Sequence, residues 1–499
     1  MKTQHALSIV AGILLASAVS SAQAGEYEFH RPLKGLKPTA TTPIDPENPE
    51  TSWALSNATL PDATSGKAYS YSFYDLITPS GLQDFSWSGD ALPTWASLNS
   101  ATGELTGAPS SSDVGSKAFA ITATRAGVDG QQIYTIVVGG QTLQVRQLTT
   151  GGAHACVVTT NGAAKCWGAN TYGQVGDNTN TDRNTPTPVE GLSTGVAFIE
   201  AGAEHTCAIT VDGAAKCWGR NGAGQLGNGA NTDSLTPVQV SGLGSGVASI
   251  SAGNSYTCAV TTNGAAKCWG KNDYAQLGLN NKSHSNIPQS VTNLDGGVAS
   301  ISAFANHTCA TTTSGTALCW GYNGQGQLGT QSTTDSLIPV PVSGLSSGIS
   351  TIGAGNNHTC AITTAGAALC WGRNHAGQLG NGSSNDSSIP VSVTGLGSGV
   401  VDIGVGHSHA CVATTNGEAK CWGLNNRGQV GTGTTTNSTS PSSVLNIGGE
   451  VQTISAGNNF TCAKLLSGAL KCWGTNSSGQ LGNSSTANSL TPVDVSAPN

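Results

Sequence analysis

Charge is scarce in this sequence. Asp, Glu, Lys and Arg make up 9% of its 499 residues, well under the share of about 25% in an ordinary globular chain. With 20 basic against 27 acidic residues the formal charge is −7. The chain therefore lacks the basic face that counterion release at phosphates requires, and neither nucleic acid nor a nucleotide is expected as a partner. Beyond the N-terminus no stretch approaches the roughly 18 apolar residues of a membrane span, which predicts no membrane-spanning body. Aromatic residues make up 5% and methionine occurs once, whereas glycine reaches 68 residues. A chain of this length and composition does not fit one ordinary domain and points to several domains or a repeat array.

The one long apolar run, Ala6 to Val19, follows Lys2 and precedes Ala22-Gln23-Ala24, whose small residues suit a signal peptidase. Residues 1–24 are thus predicted to be a signal peptide, with the mature chain starting at Gly25. Losing Lys2 leaves 19 basic against 27 acidic residues, a charge of −8. An exported chain, extracellular or periplasmic, enters an oxidising compartment, where paired cysteines form disulfides.

The cysteines are periodic. They stand at Cys156 and Cys166, Cys207 and Cys217, Cys258 and Cys268, Cys309 and Cys319, Cys360 and Cys370, Cys411 and Cys421, and Cys462 and Cys472. Partners are ten residues apart and successive pairs 51 apart, so seven copies of one unit fill the chain from about 145 onward. Fourteen cysteines admit about 135,000 pairings, but a seven-fold period favours one bond inside each unit. The second unit shows why that bond is feasible. Its string "HTCAITVDGAAKCWG" is two alternating runs joined at Asp212-Gly213, a hairpin signal with Gly where a positive φ is needed. A hairpin centred on Asp212 sets Cys207 opposite Cys217, within reach of a disulfide. Zinc sites space their ligands more closely and group four of them, so no metal is expected.

Each second Cys is followed by Trp (Trp167, Trp218, Trp269, Trp320, Trp371, Trp422, Trp473), then Gly, then Asn two further on, from Asn170 to Asn476. A Gln-(Leu/Val)-Gly triplet follows from Gln174 to Gln480, and a Pro recurs twelve residues after each Gln, from Pro186 to Pro492. Every unit reads as strand, hairpin, Gly-rich loop and short Pro-led strand. The strings "CWGxNxxGQLG" and "AGxxHTCAI" resemble the regulator of chromosome condensation repeat family. The resemblance implies an all-β fold with a seven-bladed β-propeller over 145–499, here with one disulfide per blade.

Residues 25–52 carry Pro32, Pro38, Pro43, Pro46 and Pro49 among polar residues and read as a Pro-rich linker. From 53 to 140, alternating runs such as "FAITATRA" and "QIYTIVV" read as a small N-terminal β-sandwich. The string "LPTWASLNSATGELTGAPSSSDVG" resembles the immunoglobulin-like, cadherin-like domains of exported bacterial proteins. In that resemblance Trp95 and Leu98 pack the core, while Gly103 and Gly107-Ala108-Pro109 make turns. Asp84, Asp90, Glu104 and Asp113 form no compact acidic loop of the calcium-binding kind.

No convergent catalytic set is legible. Asp182, Asp233, Asp335 and Asp386 recur at one unit position that holds His284, Asn437 and Asn488 elsewhere, the mark of short side chains capping a turn. His154, His205, His307, His358 and His409 recur two residues before the first Cys, with Tyr256 and Phe460 completing the set, which points to shape and packing. His407-Ser408-His409 is the one local His pair. No nucleophile elbow, phosphate loop or HExxH is present. What the units do not share is more telling. Two residues after Trp the side chain runs Ala169, Arg220, Lys271, Tyr322, Arg373, Leu424, Thr475, and the loops beyond add Tyr172, Tyr274, His375 and Arg427. Equivalent loops of a ring share one face, and Arg and Tyr are residues of binding hot spots.

These features predict an exported, non-catalytic binding scaffold that needs no cofactor and presents a propeller face to a protein or glycan ligand. Its predicted ligand residues are Tyr172, Arg220, Lys271, Tyr274, Tyr322, Arg373, His375 and Arg427. The family resemblance offers two precedents. Nucleotide exchange on a nuclear GTPase sits in the wrong compartment, whereas inhibition of an exported β-lactamase by a secreted propeller fits. One alternative is an extracellular polysaccharide-active enzyme, for which paired carboxylates would be sought among Asp177, Glu204, Asp273 and Asp402. Another is a structural or adhesive cell-surface protein.

Overall fold

The computed structural model describes residues 53–109, 113, 115–139 and 143–496. The predicted signal peptide and Pro-rich linker lie outside them. Residues 54–139 form a sandwich of two main sheets. One runs Ala63–Thr64, Val128–Gly139, Gly115–Arg125, Ser86–Asp90, and the other Tyr69–Ser72, Glu104–Gly107, Ala96–Leu98. Its single core is rich in aromatic rings, with Trp53, Phe73, Phe85, Trp87, Phe119 and Tyr134 buried beside Leu105, Ile121 and Ile136. Trp95 and Leu98 pack against this core from its margin, partly buried. Gly103 makes the expected turn at φ +65°, whereas Gly107 closes the strand Glu104–Gly107 instead of turning. A Cβ on Gly107 would lie 2.2 Å from the Trp95 carbonyl oxygen, so it is close strand packing that needs glycine there.

From Val145 to Asp494 the chain makes seven four-stranded antiparallel sheets, each built from consecutive strands of one contiguous repeat. In blade 2 these are Val196–Ala201, His205–Thr210, Ala215–Gly219 and Ser234–Gln239. The hairpin has the register its sequence predicts, with His205 opposite Gly219 and Cys207 opposite Cys217. All seven blades carry their intra-blade disulfide, from Cys156–Cys166 to Cys462–Cys472. The repeated Pro does not lead the fourth strand; Pro186 is the fourth of six residues in Arg183–Pro188. Pro has no N–H to donate, and this strand is the outer edge of its sheet, where a donor is dispensable.

Blades join through the constant residues. Each buried Trp packs against the preceding blade, Trp218 for instance among Cys156, Val158, Val175 and Val189. Its Nε1–H donates to the carbonyl of that blade's Gln174 at 3.0 Å, and Thr206 Oγ1 donates to the same oxygen at 2.7 Å. Because the Thr hydroxyl proton is spent there, His154 Nε2, 2.8 Å from Thr206 Oγ1, must be the donor of that bond. In four blades the recurrent His is therefore a neutral inter-blade link, and burial pushes the ring down to about 3 in all five His residues. The same bonds close the ring: Trp167 Nε1 donates to Gln480 O at 3.0 Å, and Thr150 N donates to Ser455 Oγ at 3.0 Å.

Candidate binding face

Each blade sends two segments to one end of the propeller. The first is the turn between its first two strands, residues 202–204 in blade 2, and the second is the long loop from Arg220 to Asp233. The Arg220 N–H donates to Glu204 O at 2.9 Å and so ties the two together. One Asn makes this loop rigid. Asn221 donates its backbone N–H to Asp233 Oδ1 at 2.7 Å and its Nδ2 to Ala230 O and Thr232 O at 3.1 and 3.0 Å. Its Oδ1 accepts Leu226 N–H at 2.9 Å. The Asp or Asn expected to cap a turn does so in six units by accepting this Asn N–H. In blade 3 His284 stands in its place and bonds Asp273 at 2.7 Å instead.

The short turns surround the axis. The Gly152 N–H donates to Gly202 O at 3.0 Å, Ala203 N–H to Gly253 O at 3.1 Å, and His407 N–H to Gly457 O at 3.2 Å. A Cβ on Gly202 would lie 2.6 Å from Gly253 O, so backbone contact between neighbouring blades requires glycine. Blade 4 departs from this rule with Phe304. The turns enclose a depression of about 180 Å³ whose lining includes Asn254, Phe304, Asn356, His407 and Asn458. Phe304 also borders the axial channel below, a space of about 320 Å³ lined by Ser249, Ser251, Ser300, Ser302, Ser455 and Glu200. Burial pushes the Glu200 carboxyl up to about 8, partly opposed by a hydrogen bond with Thr149.

Around the depression lie the variable residues, and most are arranged in pairs. Arg220 is ion-paired with Glu204, and its guanidinium sits 4.8 Å from the centre of the Tyr172 ring in blade 1. Lys271 Nζ is 3.2 Å from Asp273, whose carboxyl the His284 hydrogen bond and Lys271 hold below its usual range. The Tyr274 and Tyr322 rings meet edge-on across blades 3 and 4 at 5.0 Å. His375 Nε2 is 3.5 Å from Asp386, and Arg427 is exposed with its N–H donated to Gln429 Oε1 at 2.8 Å. Burial, and then the Arg373 charge, push the His407 ring down.

Comparison with known proteins gives the same architecture. A model of the RCC1-like domain matches residues 230–499, and regulator of chromosome condensation repeat models match 161–209, 145–174 and 196–225. The "Putative Ig domain" model matches 51–139. The ultraviolet-B receptor UVR8 of Arabidopsis thaliana is 31% identical over 342 residues, covering 67% of this chain and 78% of the receptor. The chain belongs to the RCC1-like family. The E3 ubiquitin-protein ligase HERC2 of Homo sapiens is 33% identical over 53% of this chain, which spans only 6% of that protein. Prp20, the RCC1 of Saccharomyces cerevisiae, shares the fold at a TM-score of 0.60 and 20% identity, over 68% of this chain and 87% of that one.

In this RCC1-like propeller the eight predicted ligand residues all lie on loops of one face, but they do not form one cluster. Tyr172 joins Arg220, Tyr274 joins Tyr322, and the others stand apart. Four residues of the axial depression escaped sequence reasoning: Asn254, Phe304, Asn356 and Asn458. Phe304 had a signal, since it is the single departure from Gly151, Gly202, Gly253, Gly355, Gly406 and Gly457 at one unit position. The carboxylates sought for an enzyme are each engaged separately. Asp177 is held by Arg183 at 2.6 Å, Glu204 by Arg220, and Asp273 by Lys271 and His284. Asp402 accepts the Ile403 and Ile454 N–H groups at 2.9 and 2.8 Å.

Proposed function

We propose that the chain is an exported binding scaffold whose loop face holds a protein partner, and that it works without catalysis. One observation carries this reading: the loop positions that hold Tyr172, Arg220, Lys271, Tyr274, Tyr322, Arg373, His375 and Arg427 change from unit to unit and lie on the same face, while the Trp, Asn and Gln positions that build the blades are fixed. Of the varying residues, Arg and Tyr are enriched among those that dominate the energetics of protein interfaces. Loops pinned by a buried Asn present them without a large ordering cost on binding. Seven disulfides and the immunoglobulin-like domain match support export. Among the described residues the axial depression is lined without Asp or Glu, which leaves a polysaccharide-cleaving reading without a carboxylate pair there.

The test is affinity capture from the native extracellular or periplasmic fraction. The bait is the chain, beside a variant carrying Arg220→Ala, Tyr322→Ala, Arg373→Ala and Arg427→Ala. A protein retained by the first and lost by a still-folded second supports the reading. Retention by both, or capture of glycan alone, overturns it.

A further inference from the structure

The propeller contains its own control for an unsatisfied charge. Arg220 of blade 2 and Arg373 of blade 5 occupy the same unit position and are anchored alike. Each backbone N–H donates to the third residue of its blade's axial turn, Glu204 O at 2.9 Å and Asn357 O at 2.8 Å. In blade 2 the side chain of that turn residue is a carboxylate and pairs with the guanidinium. In blade 5 it is the neutral amide of Asn357. Among the described residues Arg373 makes no side-chain hydrogen bond or ion pair, and its Nε is buried without a partner. A guanidinium N–H withdrawn from water and left unbonded is costly, so natural sites give it an acceptor. The nearest carboxylate of its own loop, Asp386, is engaged by the Asn374 N–H at 2.7 Å and by His375 at 3.5 Å.

The axial depression lies next to the blade 5 anchor: Asn357, to which the Arg373 N–H is bonded, follows Asn356 in the depression's wall, and the Asn356 N–H donates to His407 O at 3.3 Å, with Asn458 also in the wall and Phe304 at the floor. At about 180 Å³ it is smaller than the usual range for drug-sized ligands and takes one side chain. Building on the protein-binding reading, we propose that this depression receives an Asp or Glu side chain from a loop of the partner. Arg373 takes its carboxylate as Arg220 takes Glu204. The guanidinium supplies a planar fork of donors, the Asn amides add neutral donors around it, and the Phe304 ring packs against the aliphatic stem of the incoming residue.

The probe is a phage-displayed library of disulfide-closed seven-residue loops, selected on the full chain. Loops held at the face should share Asp or Glu at one fixed position. Their affinity should fall on the order of tenfold or more in Arg373→Gln, and less in Arg373→Lys, which keeps the charge without the fork. Asn357→Glu should have the same effect by furnishing blade 5 with the internal carboxylate of blade 2, at unchanged or higher thermal stability. The His407 ring, followed by NMR, should titrate at higher pH when an acidic loop is bound. Loops that bind the face without a fixed acidic residue, or that ignore Asn357→Glu, overturn the proposal and leave the binding face standing. Loops unaffected by the four-residue variant, or retention of oligogalacturonate in place of loops, overturn both.

Discussion

The two parts of the molecule solve the same problem in opposite ways. The sandwich over 53–139 relies on one continuous core of large rings and contains neither Cys nor His. The propeller divides its interior into seven small clusters, each built around a single Trp, a disulfide and a few aliphatic residues. A core that small cannot hold a four-stranded sheet alone, so the propeller adds covalent closure within each blade and buried hydrogen bonds between blades. The difference teaches that the sandwich should be indifferent to redox state and to histidine protonation, while the propeller should respond to both.

Reduction should separate the two most widely. Each disulfide closes a short loop and contributes about 2–3 kcal/mol by the chain-entropy estimate, so seven together exceed the whole stability of an ordinary domain. Hydrogen exchange on the intact chain, with and without a phosphine reductant, should show protection lost across 145–494 and kept across 53–139. Equal loss in both would mean that the sandwich leans on the propeller and that the contrast is false.

Acid should come next. The five buried His rings titrate near 3 in the folded propeller and near 6.5 once unfolded. Below pH 6.5 the unfolded chain binds protons that the folded one refuses, so stability is complete above that value and falls as pH drops towards 3. The loss is about 1.4 kcal/mol per ring per pH unit, or roughly 7 kcal/mol per unit for five rings. Denaturant melts at pH 7 and pH 5 should differ strongly for the propeller transition and little for the sandwich. Each His→Phe variant should flatten the dependence by one proton.

Glu200 works in the other direction. Its folded carboxyl titrates near 8 and its unfolded one near 4.5, so between those values the folded state holds a proton that the unfolded state has lost. Stability therefore declines as pH rises from 4.5 to 8. Glu200→Gln should relieve roughly 2 kcal/mol or less at pH 9, after screening by water in the channel, and nothing at pH 4. A melt of the variant that tracks the native protein at both pH values would show that the channel carboxyl is fully hydrated.

Much of this was readable because the repeat is short-range in its logic. The hairpin register, the Cys pairing and the turn-capping Asp all follow from residues ten or twelve apart. What the sequence hid are bonds between neighbouring repeats. The His–Thr link spans 52 residues and the Trp–Gln link 44, and nothing local marks either partner. The five His residues read as a packing position because Tyr256 and Phe460 substitute for them, which is half the answer. The other half is the Thr of the following blade. Arg373 stands out in the sequence by its type alone; its missing acceptor shows only when its blade is compared with that of Arg220, where Glu204 supplies one. Phe304 lay in plain view as a broken glycine rule.

Once the inter-blade link is known, the exceptions to it make sense. His154, His205, His307 and His409 each meet a Thr on the next blade, at Thr206, Thr257, Thr359 and Thr461. Blades 6 and 1 carry Ala410 and Ala155 there instead. Facing Ala155, blade 7 presents Phe460, an apolar ring that asks for no acceptor. Facing Ala410, blade 5 still presents His358, and among the described residues both its ring nitrogens are buried without a partner. Two substitutions should each repair this seam by about 1 kcal/mol. Ala410→Thr gives His358 Nε2 the hydroxyl its counterparts have, provided that the new Oγ1 can donate to Gln378 O as Thr359 does to Gln327 O. His358→Phe copies the pairing of Phe460 with Ala155. Thermal melts should rise for either single variant, and the double variant should gain less than the sum, because a Thr facing Phe has lost its bond. Additive gains would show that the two residues do not meet.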